Sequence, residues 1–344
     1  MPVPFTTDDI TRLTEHLNEA VADGETPGGI IICGTPDGDR HTISAGVVAP
    51  ECADSAPDEN TIYDIGSLTK VVATWLLIGK ALNSGKLTLD APIRDALPSM
   101  NGEIPSGEAT IRQLLSHASG LRASTRLDRY CGANAPLHEL LCREPLGDAS
   151  GTHRDIDRGY ILLGLALDHI NHQRLDELTT GTWHGMGMTS TVYGPVPRST
   201  RVAPTEQRLA GAPRVWGATQ DGNAALLGGI AGHAGVFTTT ADLATYAEQL
   251  LSAYAQESSE MGEWFRDSLV PQTTIEPGLD RGLSWILASH GQIAYHHGST
   301  GASLYLQPEA RRYMVICTNA IYHGPVHTRI TRLRALALKT MAAS

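Results

Sequence analysis

Ser67 and Lys70 stand three residues apart in the segment Tyr63-Asp-Ile-Gly-Ser-Leu-Thr-Lys70. Gly66 supplies a turn, and the apolar run from Val71 to Ser84, ended at Gly85, predicts a helix. Ser67 then falls at or near a helix N-terminus, with Lys70 on the same face. A serine needs a partner to take its proton, and a lysine held in poor solvent with a lowered pKa can do so. The helix dipole and free N–H groups favour the negative charge of a tetrahedral intermediate at that end. The plainer alternative makes Ser67 a helix cap and Lys70 a solvated surface residue, and a four-residue spacing does not by itself decide between them.

Other chemistry-bearing residues are weaker. His169 and His172 have i, i+3 spacing but lack a third metal ligand at useful spacing, so they read as a polar helix face. His233, in Gly-His-Ala-Gly, reads as a structural loop residue, and His117, following a helix, as a partner of nearby carbonyls. The cysteines Cys33, Cys52, Cys131, Cys142 and Cys317 form no C-x-x-C pair, so neither a zinc ribbon nor a dithiol redox motif is supported. No metal and no organic cofactor is expected, because a base and oriented dipoles suffice for a serine nucleophile.

The elements that must position Ser67 follow from periodicity. Thr7 to Asp23 reads as an amphipathic helix with Ile10, Leu13, Leu17 and Val21 on one face and Thr6 or Thr7 as cap. Ile30 to Cys33 and His41 to Val48 read as a hairpin around Pro36-Asp37-Gly38-Asp39. Residues 67–240 read as mainly helical, with Ile111 to Ala118 and Tyr160 to Ile170 as further helices. Strands return at Leu283 to Ala288, Gln292 to His297, Ser303 to Leu306 and Tyr313 to Thr318, and a helix over 326–342 closes the chain. Helix, hairpin, helical insertion, meander and helix imply an antiparallel sheet built from both chain ends. The chain is expected to form one catalytic unit over 1–344, with a sheet region at about 1–66 and 241–344 and a helical region at about 67–240.

The 344 residues are 41% apolar and carry 26 basic against 37 acidic side chains, a formal net charge of −11. That balance repels a phosphate backbone, so nucleic acid is not an expected partner. No apolar stretch is long enough to span a bilayer, and Met1 to Leu13 lacks the pattern of a secretory signal. A reduced, cytoplasmic protein is expected.

Six ordered blocks carry a resemblance. They are Tyr63 to Lys70, Leu82-Asn-Ser-Gly-Lys-Leu-Thr-Leu-Asp90, Thr110-Ile-Arg-Gln-Leu-Leu-Ser-His-Ala-Ser-Gly-Leu121, Gly159-Tyr-Ile-Leu-Leu-Gly164, Gly228 to Phe237, and His296-His-Gly-Ser-Thr-Gly301 followed by Leu304 to Glu309. Together they resemble the serine β-lactamase and penicillin-binding-protein-like family, on the side of class C β-lactamases and related esterases. The resemblance implies an α/β fold of the α+β kind, β-lactamase-like, with an antiparallel sheet flanked by terminal helices and a mostly helical insertion. It implies Ser67 as nucleophile, Lys70 as its lysine, and His296-His297-Gly298 as the third motif on the strand edging the site, where His296 would contact the substrate's polar end or support the proton network and His297 and Gly298 would help bind substrate. The backbone amides of Ser67 and Ser299 would form the oxyanion hole.

The second motif departs from the family. Relatives carry Tyr-x-Asn or Tyr-Ser-Asp there. In Asp155-Ile-Asp157-Arg-Gly-Tyr160, Asp157 matches the Asn or Asp, and Asp155 replaces the tyrosine. Three explanations stand side by side. Asp155 replaces the tyrosine as an acid–base group, its pKa raised by a nearby carboxylate. Alternatively, Lys70 suffices for acylation and a nucleophile stronger than water deacylates. Or turnover is lost and only binding remains. Tyr130 swinging in for the tyrosine is a lesser alternative. The reading favoured is acyl transfer from a small-molecule donor through a Ser67 ester to an amine acceptor, as in amide-forming family members of antibiotic biosynthesis such as the capuramycin-type transacylase. A cytoplasmic esterase, amidase or β-lactamase-like hydrolase and an inactive binding protein are the alternatives.

Overall fold

Gly28–Gly34 (β1) is an unbroken run of buried residues, which a strand shows only when both faces of its sheet are covered. In the computed structural model, which describes residues 2–52, 55–324 and 330–343, it lies inside an eight-stranded antiparallel sheet. The other strands in chain order are β2 (Arg40–Gly46), β3 (Ile62–Asp64), β4 (Val192–Tyr193), β5 (Val236–Thr239), β6 (Thr273–Glu276), β7 (Leu279–Arg281), β8 (Ile286–Ala288), β9 (Ile293–His297), β10 (Ser303–Gln307) and β11 (Arg312–Thr318). The large sheet runs β2-β1-β11-β10-β9-β8-β7-β6, so the first strands pair with the last, as in Gly29 opposite Thr318. β3, β5 and β4 form a separate small sheet.

Period-two alternation divides the core. Ile31, Cys33, Tyr305, Met314 and Ile316 face the terminal helices Thr7–Ala22 and Thr331–Ala342, packing with Leu13, Leu17, Leu333 and Met341. Ile30, Ile32, Leu304, Val315 and Cys317 face the other way, into a core shared with Leu243, Leu250, Trp75 and Trp285. Thr6 caps the first helix through a reciprocal capping box with Asp9. The α+β architecture with terminal helices is the expected one.

Several local expectations are corrected. The strand expected from Leu283 begins only at Ile286, because Ser284 sits at φ +76°. β6 and β7 were not anticipated, nor was the small sheet, which places β4 and β5 within 67–240. The segment from 241 opens with helices, Thr240–Tyr254 and Glu260–Ser268, before any strand. Residues 326–329 of the expected last helix lie outside the described residues.

The helix expected from Val71 to Ser84 is broken into a 3-10 turn at Gly66–Leu68, a π-helical stretch at Lys70–Thr74 and an α-helix at Trp75–Asn83. Distant side chains explain the widening. The Tyr246 hydroxyl donates to the Val71 carbonyl at 2.7 Å, and Trp183 Nε1 donates to that of Val72 at 3.0 Å. Carbonyls satisfied from outside do not need their α-helical N–H partners.

Candidate active site

Ser67 lies in the 3-10 turn, partly exposed, between Gly66 and the buried Leu68. Gly66 has φ +50°, and a methyl group placed on it would stand 3.2 Å from Ser299 Oγ and 3.4 Å from Ser299 N. A methyl on Gly298 would stand 2.2 Å from the Ile65 carbonyl oxygen, so this approach requires glycine. The β9–β10 turn and the Ser67 turn are thus packed backbone to backbone. Among the described residues neither the Ser67 nor the Ser299 amide is engaged in a hydrogen bond.

Lys70 is buried, and its Nζ lies 2.9 Å from Asp157 Oδ1, 3.4 Å from Asp155 Oδ1 and 5.4 Å from the Tyr160 ring centroid. Burial alone would lower its pKa. The carboxylates of Asp157 and Asp155 outweigh burial and raise it above the usual lysine value. The expectation of a lysine with a lowered pKa is therefore corrected: Lys70 is an ammonium ion in the resting site.

Asp155, which the resemblance sets where relatives carry the tyrosine, has its side chain 48% exposed. Its Oδ2 accepts from Arg281 Nη2 at 2.7 Å, and its Oδ1 faces His117 Nε2 at 3.5 Å as well as Lys70. Burial would raise its pKa, but His117, Lys70, Arg281 and His296 together hold it well below the usual carboxylate range. A raised Asp155 pKa is thus also corrected, because four basic groups act on this carboxylate. Arg281, on β7, gave no sequence signal. It is 1% exposed, and its Nη1 donates to the Ser284 carbonyl at 3.1 Å.

His296 is buried on the sheet face that looks toward Lys70 and Arg281. Its Nδ1 lies 3.0 Å from the His297 carbonyl oxygen, which places the proton on Nδ1 in the neutral ring. Nε2 then carries the lone pair, and it is buried without a hydrogen-bond partner. Burial, Arg281 and Lys70 push the His296 pKa down to about 3, so the imidazole is neutral at pH 7. His297 points the opposite way, with Nε2 2.9 Å from the Tyr305 hydroxyl. The expectation that its side chain lines the substrate is corrected by strand alternation.

His117 also differs from expectation. At φ +55° its Nδ1 accepts from the Ile156 amide at 3.2 Å, leaving Nε2 to carry the proton toward Asp155. The nearby phenols are committed elsewhere. The Tyr160 hydroxyl contacts Ser284 Oγ at 2.6 Å and the Leu115 carbonyl at 3.0 Å, and the Tyr130 hydroxyl bonds Glu144. Tyr130 therefore does not take the tyrosine's place. His233 Nε2 lies 2.8 Å from Asp221 Oδ1, and these two with Asp157 offer ligand-type atoms within 4.8 Å of one another. The Lys70 ammonium already pairs with Asp157 there.

An α+β fold with a Ser-x-x-Lys turn set against a strand-edge His-x-Gly turn defines a penicillin-binding-protein-like serine enzyme. The chain belongs to the β-lactamase family, whose family model matches residues 13–339. It is 28% identical over 312 residues to a putative D-alanyl-D-alanine carboxypeptidase of Escherichia coli K12, across 77% of this chain and 70% of the relative. A class C β-lactamase from Rhodobacter sphaeroides superposes with a TM-score of 0.75 at 18% identity, covering 98% of this chain and 99% of that one. EstCE1, a hydrolase with promiscuous acyltransferase activity, superposes at 0.72 and 16% identity, covering 96% and 98%. Among the described residues no helix is long and apolar enough to cross a membrane.

Proposed function

We propose that the enzyme takes an acyl group from a small ester or amide onto Ser67 and passes it to an amine, making an amide in natural-product biosynthesis. Ser67 Oγ attacks the donor carbonyl while its proton is relayed through the open lone pair of His296 Nε2 toward the leaving group. The amides of Ser67 and Ser299 hold the oxyanion, and the donor's alcohol or amine leaves with the proton returned by His296. The acceptor amine then attacks the Ser67 ester, His296 takes its proton, and amide formation restores the Ser67 hydroxyl. Lys70, as an ammonium paired with Asp157 and Asp155, supplies positive charge beside the nucleophile. Asp155 and Asp157 act by holding Lys70 in place.

The observation that carries this reading is the ion pair of Asp155 and Arg281 at 2.7 Å, where relatives keep a tyrosine. Both oxygens of this carboxylate are engaged by cations, Arg281 and Lys70, so it is not free to take a proton from water, and the phenols of Tyr160 and Tyr130 are bonded away from it. An amine needs less base assistance than water does. EstCE1 is an example of transfer on a similar fold. Five unpaired cysteines, four of them buried, support a reducing, cytoplasmic setting. Hydrolysis is the second reading, favoured by likeness to a putative D-alanyl-D-alanine carboxypeptidase.

The test is intact-protein mass spectrometry after brief exposure to a nitrophenyl ester, with Ser67→Ala alongside. An adduct on Ser67 that decays faster with added amine, yielding amide, is the expected result. Acid as the sole product across a range of amines overturns transfer in favour of hydrolysis.

A further inference from the structure

Asp64 closes β3 three residues before Ser67 and is 3% exposed. Its Oδ1 accepts the Gly66 amide at 2.9 Å, and its Oδ2 accepts the Gln220 amide at 2.7 Å. Gly66 is the residue whose backbone lies against Ser299. Gln220 precedes Asp221, which pairs with His233 and lies within 4.8 Å of Asp157, the counter-ion of Lys70. One buried carboxylate therefore holds the nucleophile's turn with one oxygen and the loop behind Lys70's partner with the other.

We propose that Asp64 is a positioning residue that works only as a carboxylate: with one oxygen on the Gly66 amide and the other on the Gln220 amide it fixes the Ser67 turn against the Gln220–Asp221 loop, and loss of its charge disables acylation of Ser67. The chemistry of the group requires this. Both oxygens face N–H donors, and a proton on either one turns an acceptor into a donor facing a donor. The charged groups that act on Asp64 are Asp221 and Glu206, each with its own partner, His233 at 2.8 Å and Arg208 at 3.2 Å. Burial raises the Asp64 pKa, the Gln220 and Gly66 amides lower it, and Asp221 and Glu206 raise it again, leaving it at about 6. The inference rests on Ser67 being the nucleophile and is independent of whether the acyl group goes to an amine or to water.

The test is the rate of Ser67 labelling by a fluorophosphonate, followed by intact mass from pH 5 to 8 in wild type, Asp64→Asn and Asp64→Glu. Wild type is expected to lose about tenfold in rate per pH unit below about 6. Asp64→Asn is expected to label slowly and without that dependence, and Asp64→Glu to recover part of both. Labelling that keeps its full rate and acid limb in Asp64→Asn overturns the inference. No labelling at any pH overturns the Ser67 reading itself. Should Asp64→Asn fail to fold, amide exchange in wild type decides. Protection of Gly66 and Gln220, corrected for intrinsic rates, is expected to fall between pH 7 and 5, and unchanged protection overturns the inference.

Discussion

Asp155 Oδ2 and Arg281 Nη2 meet at 2.7 Å across 126 residues of sequence, joining the loop before helix Arg158–Asn171 to strand β7. The guanidinium is buried while the carboxylate is half exposed, so the arginine depends on the pair more than the aspartate does. A tyrosine at position 155 would leave that buried cation without a carboxylate.

Asp155→Ala should therefore destabilise the fold by about 2 kcal/mol, below the 3–5 kcal/mol of a fully buried pair because water reaches the carboxylate. Urea unfolding measures this. An unchanged midpoint with an unchanged slope would mean that solvent replaces the carboxylate at no cost.

Restoring water activation needs both partners changed. Asp155→Tyr combined with Arg281→Leu should speed hydrolysis of the Ser67 ester by about 10²-fold or more, the usual scale of a positioned acid–base group. The decay of the acyl-enzyme without amine is the measurement. A folded double variant with wild-type decay would remove the missing tyrosine as the reason for transfer.

If Lys70 acts as a charge and His296 as the base, their conservative variants diverge. Lys70→Arg keeps the cation beside Asp157 and should retain measurable acylation, whereas His296→Gln should lose about 10²–10⁴-fold. Stopped-flow release of nitrophenol compares them. Loss in Lys70→Arg as complete as in Lys70→Ala, with His296→Gln active, would return the base role to the lysine.

His297 offers a linkage test away from the nucleophile. Burial and the Arg334 charge lower its pKa well below the ordinary histidine value. Below about pH 6.5 the unfolded chain binds a proton that the folded chain refuses, so this group's contribution to stability falls as the solution is acidified. His297→Gln removes that term. Relative to wild type, it should gain up to about 1.4 kcal/mol per pH unit on going from pH 6.5 toward 5. A constant difference between their unfolding free energies across that range would contradict the assignment.

Much of this was legible in the chain itself. The six blocks that order Ser67, Lys70 and His296 also order the elements beneath them, and short apolar runs locate β1 and β9 to β11. What was illegible depends on contacts between distant segments. Arg281 sits in a three-residue strand, too short to show an apolar period. The π-helical stretch depends on Tyr246 and Trp183, far along the chain. The sign of the Lys70 shift follows from two carboxylates converging on one ammonium, a competition with burial that spacing alone does not resolve.

The contact of Gly298 with the Ile65 carbonyl has a consequence for how the enzyme comes into being. The proposed oxyanion hole would draw one amide from near residue 67 and the other from near residue 299, and the sheet beneath them closes only when β1 pairs with β11. Such long-range closure comes late in folding. A chain still emerging from the ribosome therefore carries Ser67 long before the Ser299 amide can reach it, and the proposed centre would be complete only once the last strand is in place.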